Sequence, residues 1–200
     1  MVSAPSDRAL QTRASLLEAA RDVFAVAGFA DANVTDVVGR AGASVGSLYH
    51  HFGGKADLYL ALFDDYHSRQ EARASTALHA AKADGVEDEM RLLIAGARAF
   101  LRGCWEDRDL ARLFLPGSGP PGFELVARKR FREWVRRNGV LLQRGRDRDG
   151  GQHRLGEALT LVLTTVISEA GREVAVQATE QQATRLVDDV LELLGRIARP

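Results

Sequence analysis

The stretch AGASVGSLYHHFGGKADL, residues 41–58, is the most informative part of this chain. Its first half is rich in Gly and Ser, which are weak helix formers, and a segment with large side chains follows. On a helical wheel of about 100° per residue, Leu48 and Phe52 share one side of the segment 45–52, whereas His50 lies opposite them. We therefore predict a short helix that buries one thin edge and exposes the rest of its surface.

A second short helix is predicted directly before this one, over about Val34 to Ala41. Asn33 stands at its N-cap position and Asp36 follows three residues later, a variant of the capping box. Two short helices joined by a tight turn that contains Gly, with the second helix presented outward, are typical of a DNA-binding helix-turn-helix. Gly46 and Ser47 leave the first turn of the second helix nearly free of side chains, which would let its tip enter the major groove.

The overall composition bounds the class of protein. The chain has 200 residues, of which 46% are apolar, so it can bury a sizeable core. Its 27 basic and 27 acidic side chains give a net charge of zero, which argues against a protein that coats a polyanion but allows a small local surface for nucleic acid. Residues 1–55 hold five basic and five acidic side chains. We therefore expect modest non-specific affinity for DNA and dependence on the correct pairing of two DNA-binding heads.

The cellular compartment and the absence of cofactors are also predicted from the sequence. The single cysteine, Cys104, cannot form an internal disulfide, which fits a reducing cytosol, and a lone cysteine is more often a small buried hydrophobe than a nucleophile. No apolar stretch approaches the roughly 20 residues that span a bilayer, and the first ten residues lack the apolar core of a signal peptide. His50 and His51 are adjacent on one helix and do not face one site. We expect a cytoplasmic protein without a membrane partner, a metal or another cofactor.

The rest of the chain is also predicted to be helical, because apolar residues recur at helical spacing almost throughout. Thr179 and Gln182 form a capping box at the start of the last helix. The predicted fold is all-α with about nine helices, in an N-terminal three-helix helix-turn-helix domain (1–55, with the motif at about 33–52) and a C-terminal helical-bundle domain (56–200). The other predicted helices span about 10–27, 55 to at least 79, 86–105, 109–115, 123–144, 154–178 and 180–197.

The segment GFADANVTDVVGRAGASVGSLYHHFGGKADL, residues 28–58, closely resembles the N-terminal domain of TetR-family transcriptional regulators. The family pattern runs Gly-aromatic, a capped helix, AG-x-S-x-G-t-L-Y-x-h-F and a Lys before the fourth helix, and the spacing is kept without gaps. The body shares no motif with the family, only helical order and length. The matching residues are Gly28, Phe29, Ala41, Gly42, Ser44, Gly46, Leu48, Tyr49, His51, Phe52 and Lys55.

This resemblance implies a homodimer that binds a palindromic operator in double-stranded DNA. Asn33, where Thr or Ser is usual, would contact the DNA backbone, and Val38 in place of a common Ala would widen the helix packing slightly. Val45 stands where many relatives have a polar reader, so specificity would rest on DNA shape and few contacts, such as one to a thymine methyl. The residues implied to bind DNA are Asn33 and Lys55 at the backbone, Thr35, Val45, Gly46, Ser47 and Tyr49 near base edges, His50 and His51 against phosphates, and Ser44 beside them.

For the body, the resemblance implies a domain that binds a small-molecule effector and dimerises, so that the effector releases a repressor from DNA. The pocket would lie among helices five to eight, and its apolar and aromatic content favours a hydrophobic or aromatic effector. The last two helices would pair with those of the partner in a four-helix bundle, which would explain why helix eight is apolar on nearly every side. The candidate pocket residues are Phe100, Trp105, Phe114, Arg128, Phe131, Trp134, Thr164 and Ser168.

Several alternatives stay open at the level of sequence. The Arg-rich run at 128–148 is either a solvated helix face, which is favoured, or contains an inward Arg128 or Arg132 that holds an anionic ligand. The row of Thr160, Thr164, Ser168 and Arg172 could bond to its own helix, line a pocket or cross a dimer seam. No Ser/His/Asp or paired-carboxylate constellation indicates an enzyme. Two alternative functions are a DNA-binding regulator controlled by a protein partner and a helical adaptor that merely retains the head.

Overall fold

The computed structural model describes residues 7–143 and 153–197. Within these ranges the chain forms nine helices and no strand, so the predicted all-α fold is confirmed. None of the described helices combines the length and the hydropathy that a membrane span requires. The helices are α1 (Asp7–Asp31), α2 (Val34–Ala41), α3 (Val45–Phe52), α4 (Lys55–Ala83), α5 (Glu89–Glu106), α6 (Arg108–Leu113), α7 (Phe123–Gln143), α8 (His153–Val176) and α9 (Glu180–Ile197).

These helices form two compact units. Unit 1 contains the described residues up to His67 together with Leu113–Glu124, and unit 2 contains Ser68–Arg112 and the described residues after Glu124. The units do not coincide with the predicted domains 1–55 and 56–200, whose boundary stays a prediction about function.

Unit 1 is built on the packing of α1 against α2 and α3. Leu16 and Phe24 of α1, together with Leu48 of α3, are almost completely buried in its core. The predicted end of the first helix near Ala27 corresponds to a kink at Gly28, where φ is 70°. Only Gly enters this left-handed region without steric cost, so the chain bends there and then continues as helix to the end of α1.

The turn between α2 and α3 is made by local backbone geometry. Gly42 adopts a left-handed conformation with φ 63° and ends α2. The N–H of the next residue, Ala43, donates to the carbonyl oxygen of Val38 at 2.9 Å, as in a Schellman-type helix end. Ser44 then caps α3, since its Oγ accepts a hydrogen bond from the N–H of Ser47 at 3.1 Å. These two caps fix the end of α2 and the start of α3, and so bound the turn of the predicted helix-turn-helix.

The two predicted capping boxes have different outcomes. At α9 the pairing is confirmed, because the N–H of Gln182 donates to Thr179 Oγ1 at 3.3 Å and the N–H of Thr179 donates to Gln182 Oε1 at 3.2 Å. At α2 it is wrong: Asn33 is the N-cap residue, but its side chain makes no capping hydrogen bond. The backbone carbonyl of Asn33 instead accepts from the N–H groups of Asp36 and Val37, at 3.2 and 3.4 Å.

Unit 2 has a core formed mainly by α5, α8 and α9. Leu101, Leu163 and Leu194 are completely buried there. The contact between α5 and α8 is close at Gly171, where an added Cβ would lie 2.8 Å from Phe100 Cε1 and 3.0 Å from Cys104 Sγ. The absence of a side chain at this glycine therefore allows the two helices to approach.

Helix α8 is predicted to be apolar on nearly every side, and in the structure its apolar side chains lie on two faces. The inner face is buried in unit 2, whereas several large apolar side chains point outward on α8 and on the C-terminal part of α9. A surface helix that keeps such a row exposed normally has a partner to cover it. The exposed residues are Leu161, Val162, Val166 and Val176 on α8 and Leu193 and Ile197 on α9.

Candidate nucleic-acid interface

The outward face of α3 carries most of the residues predicted to contact DNA. Leu48 and Phe52 are buried and hold the helix against unit 1, whereas Val45 and Tyr49 expose 42% and 53% of their surface. Small residues fill the first turn beside Val45, so the tip of the helix is narrow. The ten predicted residues all belong to unit 1 and none is buried: Asn33, Thr35, Ser44, Val45, Gly46, Tyr49 and His50 are exposed, and Ser47, His51 and Lys55 are half-buried.

Ser44 and Gly46 have defined local roles at this tip. The hydroxyl of Ser44 is the cap of α3, as described above, so the residue starts the helix whether or not DNA is present. A Cβ added to Gly46 would have Ser44 Oγ, at 3.9 Å, as its nearest neighbour. Gly46 is therefore not required for packing in the free protein, and its small size matters only if another molecule approaches closely.

Lys55 has a structural role that the sequence did not indicate. Its Nζ donates hydrogen bonds to the carbonyl oxygens of Ala30 and Ala32, each at 3.0 Å, and lies 4.7 Å from the centroid of the Phe29 ring. The ammonium thus binds the carbonyls that the kink at Gly28 leaves at the end of α1, where a cation is favoured by the helix dipole. A contact from Lys55 to DNA phosphate stays a prediction, and it would have to use the remaining N–H.

The start of α2 presents free polar groups. The side chain of Asn33 is exposed and is not used as a cap, and Thr35 is exposed in the first turn. The N-terminus of a helix carries unpaired N–H groups and a partial positive charge, which together favour a phosphate. Asp36 in the same turn opposes that attraction with a negative charge, so the geometry favours a contact made by hydrogen bonds more than by charge.

A cluster of aromatic rings lies behind the helix-turn-helix, and sequence reasoning did not predict it. Tyr59 is fully buried at its centre and donates a hydrogen bond to the carbonyl oxygen of Leu113 at 2.7 Å. Burial, and next the nearby carboxylate of Glu124, raise the pKa of Tyr59 well above its ordinary value. The rings within 6 Å of Tyr59 belong to Phe24, Phe29, Phe114 and Phe123.

This cluster corrects the predicted position of Phe114. The residue was grouped with the pocket residues of the body, but it belongs to unit 1 and packs against Tyr59 with a centroid distance of 5.3 Å. The other seven predicted pocket residues lie in unit 2. The pairing could not be inferred from spacing, because more than fifty residues separate the two rings in the chain.

In unit 2 the structure brings part of the predicted pocket set together. The rings of Phe100 and Trp134 are 4.7 Å apart between centroids. Thr164 is completely buried, and its Oγ1 accepts a hydrogen bond from Nδ2 of Asn138 at 3.0 Å. Asn138 was not among the predicted residues, although its position one turn after Trp134 on α7 places both on one face.

The remaining predicted pocket residues are arranged differently. Trp105 is half-buried beneath the guanidinium of Arg108, with 4.6 Å from Cζ to the ring centroid. Phe131 and Ser168 are half-buried, and Arg128 is exposed, so Arg128 does not point into the unit.

The Arg-rich run on α7 has two kinds of residue. Arg132 and Arg136 are exposed, as is Arg128, whereas Arg137 donates from Nη1 to Glu71 Oε2 at 2.8 Å. Arg144, Arg146 and Arg148 of the same predicted run lie outside the described residues.

The polar row on α8 largely bonds to its own helix. Thr160 Oγ1 donates to the carbonyl oxygen of Gly156 at 2.8 Å, and Arg172 pairs with Glu169 at 2.7 Å. Cys104 is buried. Within the described part of the chain, no group of three or more His, Cys, Asp or Glu side chains is placed to hold a metal ion.

The comparisons with known proteins agree with this geometry. The family model described as "Bacterial regulatory proteins, tetR family" matches residues 16–62, which include all of α2 and α3. The probable HTH-type transcriptional regulator ArpR of Pseudomonas putida is 36% identical over 90 residues, which cover 45% of this chain and 40% of ArpR. The chain thus matches less than half the length of that relative.

Two further likenesses cover nearly the whole chain. The HTH-type transcriptional regulator CymR of Pseudomonas putida is 28% identical over 195 residues, which cover 94% of this chain and 91% of CymR. A putative TetR-family regulator from Syntrophomonas wolfei shares the fold, with a TM-score of 0.77 over 94% of this chain and 95% of that one, at 14% identity. ArpR and CymR are named as transcriptional regulators and not as enzymes. Residues 16–62 of the chain thus match the TetR family of bacterial regulatory proteins, and its nine described helices share the fold of a TetR-family structure.

Proposed function

We propose that this protein is a DNA-binding transcriptional regulator of the cytoplasm, and that it is a repressor which a small effector releases from its operator. The observation that carries the proposal is the outward face of α3, where Val45 and Tyr49 are exposed above the buried Leu48 and Phe52. A helix anchored by one edge, with a narrow tip, fits the major groove, which is about 12 Å wide.

Recognition of bases would depend on few side chains. The methyl groups of Val45 suit an apolar contact with a thymine methyl. Tyr49 supplies an aromatic ring and a hydroxyl group for contacts with base edges. Because neither is a bidentate hydrogen-bonding reader, we expect DNA shape to contribute to specificity. Asn33 and Thr35 at the start of α2 would hold the backbone and fix the orientation of the head.

Two features support a homodimer: the small surface of one head and the exposed apolar side chains of α8 and α9. One α3 helix of eight residues reads only a short half-site, so two heads on a palindrome would supply the affinity. Leu161, Val162 and Val166 on α8 and Leu193 and Ile197 on α9 form an apolar surface that a second copy would bury.

The effector site would lie in unit 2 among α5, α7 and α8. Phe100 and Trp134 supply aromatic surface, and Asn138 and Thr164 supply one amide and one hydroxyl that can turn toward a polar atom of a ligand. Ser168 lies one turn after Thr164 on the same face of α8. This combination suits a hydrophobic or aromatic compound with a single polar group.

Release from DNA would act through α4, which is continuous from Lys55 to Ala83 and has residues in both units. Operator half-sites are spaced by about 34–36 Å, one helical turn of DNA. A ligand that favours a different arrangement of α4 would change the separation of the two heads and so uncouple one of them from its half-site.

The experiment that tests the proposal is selection of a duplex from a random library, followed by fluorescence anisotropy at about 50 and 200 mM salt. We expect a palindromic site, binding by a dimer, and a clear loss of affinity at the higher salt. Tyr49→Ala should weaken binding about tenfold or more, whereas Leu125→Ala, at an exposed apolar residue of α7, should bind as the wild type does. Failure to select any site with an intact dimer would overturn the proposal in favour of the adaptor function.

A further inference from the structure

Two adjacent histidines, His50 and His51, occupy the last turn of α3. His50 is exposed and His51 half-buried, and their ring centroids are 5.2 Å apart in an edge-to-face arrangement. No hydrogen bond or ion pair joins either imidazole to another residue of the described ranges. Both rings are therefore available to a ligand at the outward end of the helix.

The length of α3 puts these rings beside the DNA backbone if the tip of the helix contacts base edges. A helix rises about 1.5 Å per residue, so His50 lies about 7.5 Å beyond Val45 along the axis. The major groove is about 8.5 Å deep and its rims are lined by phosphates. When Val45 is at the floor of the groove, the last turn of α3 is at the level of the phosphates.

Three permanent cations of the head, one each on α1, α2 and α4, already have partners in the free protein. These contacts compete with binding of the same cations to phosphate. In addition, residues 1–55 have no excess of basic over acidic side chains. The partners are Phe52 for Arg13 (5.0 Å from Cζ to the ring centroid), Asp22 for Arg40 (2.8 Å, Nε to Oδ2) and the carbonyl oxygens of Ala30 and Ala32 for Lys55.

Two carboxylates lie on the elements that neighbour α3 in the chain. Asp36 lies in the first turn of α2, and Asp57 in the first turn of α4 has its Oδ2 within 2.5 Å of the place that a Cβ on Gly53 would occupy.

We propose that DNA binding by this protein is linked to protonation, with His50 and His51 supplying the positive charge that the head otherwise lacks. The inference rests on the proposed function and adds a regulation to the same site: affinity for the operator rises as the pH falls. Histidine is the side chain whose charge ordinarily changes between pH 5 and 8, and a phosphate favours the charged form over the neutral one.

The expected size of the effect follows from linkage. If a phosphate favours imidazolium over imidazole by about tenfold, the affinity rises about sixfold per ring between pH 8 and pH 6. Two imidazolium rings at this separation repel each other, so we count the contribution of one ring per head. For a dimer with two heads, the affinity should be about 30-fold higher at pH 6 than at pH 8.

The test measures the dissociation constant of a selected operator duplex and of a random-sequence duplex at pH 6, 7 and 8, at constant ionic strength. The wild type should show the pH dependence on both duplexes, because phosphates carry it. The double variant His50→Gln, His51→Gln should bind each duplex with the same affinity at pH 6 and pH 8. His79→Gln is the matched control, since His79 on α4 is exposed and its Nδ1 contacts the carbonyl oxygen of Ser75, and this variant should behave as the wild type.

A calorimetric titration in two buffers of different ionisation enthalpy gives the protons taken up directly, and about one per dimer is expected at pH 7. Equal wild-type affinity at pH 6 and pH 8 would overturn the inference while leaving the proposed function intact. Retention of the full pH dependence by the double variant would also overturn it. Absence of duplex binding at every pH would instead contradict the proposed function.

Discussion

The hydroxyl of Tyr59 donates a hydrogen bond to the carbonyl oxygen of Leu113 across 54 positions of sequence, at 2.7 Å. This bond joins α4 to the last residue of α6 and lies inside a cluster of four Phe rings. Tyr59→Phe keeps the ring contacts and removes the bond, so the free energy of unfolding at pH 7 should fall by about 1 kcal/mol. Urea denaturation followed by circular dichroism measures this, and an unchanged midpoint would contradict it.

The same residue should make stability depend on pH in the alkaline range. Burial, and next Glu124, raise the pKa of Tyr59 above its ordinary value of 10.0, so the native state keeps the proton that the unfolded state loses. The contribution of Tyr59 is therefore complete below pH 10 and falls as the pH rises above it.

Between pH 9 and pH 11 the wild type should lose about 1.4 kcal/mol relative to Tyr59→Phe. Comparing the two proteins removes the effects of Tyr49, Tyr66 and the other titrating groups, which both share. A difference between the two free energies of unfolding that stays constant over this range would show that Tyr59 ionises as easily in the native state as in the unfolded one.

A substitution at Lys55 tests whether this residue stabilises the fold, contacts DNA or does both. Lys55→Met keeps an unbranched side chain but removes the ammonium over Phe29 and both of its hydrogen bonds to Ala30 and Ala32, so stability without DNA should fall by about 1–3 kcal/mol. Urea denaturation of the free protein checks this. A role only as a phosphate contact would predict weaker DNA binding with unchanged stability of the free protein.

Close packing of α5 against α8 should make Gly171 intolerant of any side chain. In Gly171→Ala the new methyl group would meet the ring of Phe100 at 2.8 Å and the sulfur of Cys104 at 3.0 Å, so we expect destabilisation by about 1–3 kcal/mol. Gly139→Ala on α7 is the matched control, because its Cβ would have only Thr160 Cγ2, at 3.8 Å, within contact range. That variant should be neutral or more stable by up to about 1 kcal/mol, as thermal melts of both variants would show.

The proposed dimer surface can be tested with one substitution at two equally exposed valines. Val162 on α8 and Val140 on α7 expose 50% and 49% of their surface. Val162→Glu should bury a charge at the seam and shift the protein toward monomer, whereas Val140→Glu should leave the oligomeric state unchanged. Sedimentation velocity at several concentrations distinguishes the two. Equal behaviour of both variants would exclude the outer face of α8 as the seam.

The helix-turn-helix could be predicted residue by residue because its limits depend on local chemistry. Gly42 and Ser44 end and start the two helices within three positions of each other, and a wheel is enough to find that Leu48 and Phe52 are buried. The side chain of Asn33 was predicted wrongly, since a capping residue at the right position need not use its side chain when the backbone makes the bonds.

Long-range pairs could not be predicted in the same way. Nothing near Tyr59 in the sequence indicates Leu113 or Phe114, and nothing near Trp134 indicates that Asn138 would bond to Thr164 on another helix. The bond of Lys55 to the end of α1 had one signal, a helix broken by Gly28 that leaves carbonyls without partners. A cation more than twenty residues later becomes their obvious partner only once the fold is known.

Because Leu113–Glu124 belongs to unit 1 while its neighbours on both sides in the chain belong to unit 2, the two units are interleaved along the polypeptide. No single cut of the chain separates them, and a fragment that stops after α4 would lose Phe114 and Phe123 from around Tyr59. The helix-turn-helix unit therefore cannot be separated from the rest of the chain by one cut. A chimera that joins this helix-turn-helix to the body of another protein must therefore include residues 113–124. Otherwise the other protein must supply aromatic rings of the same shape around Tyr59.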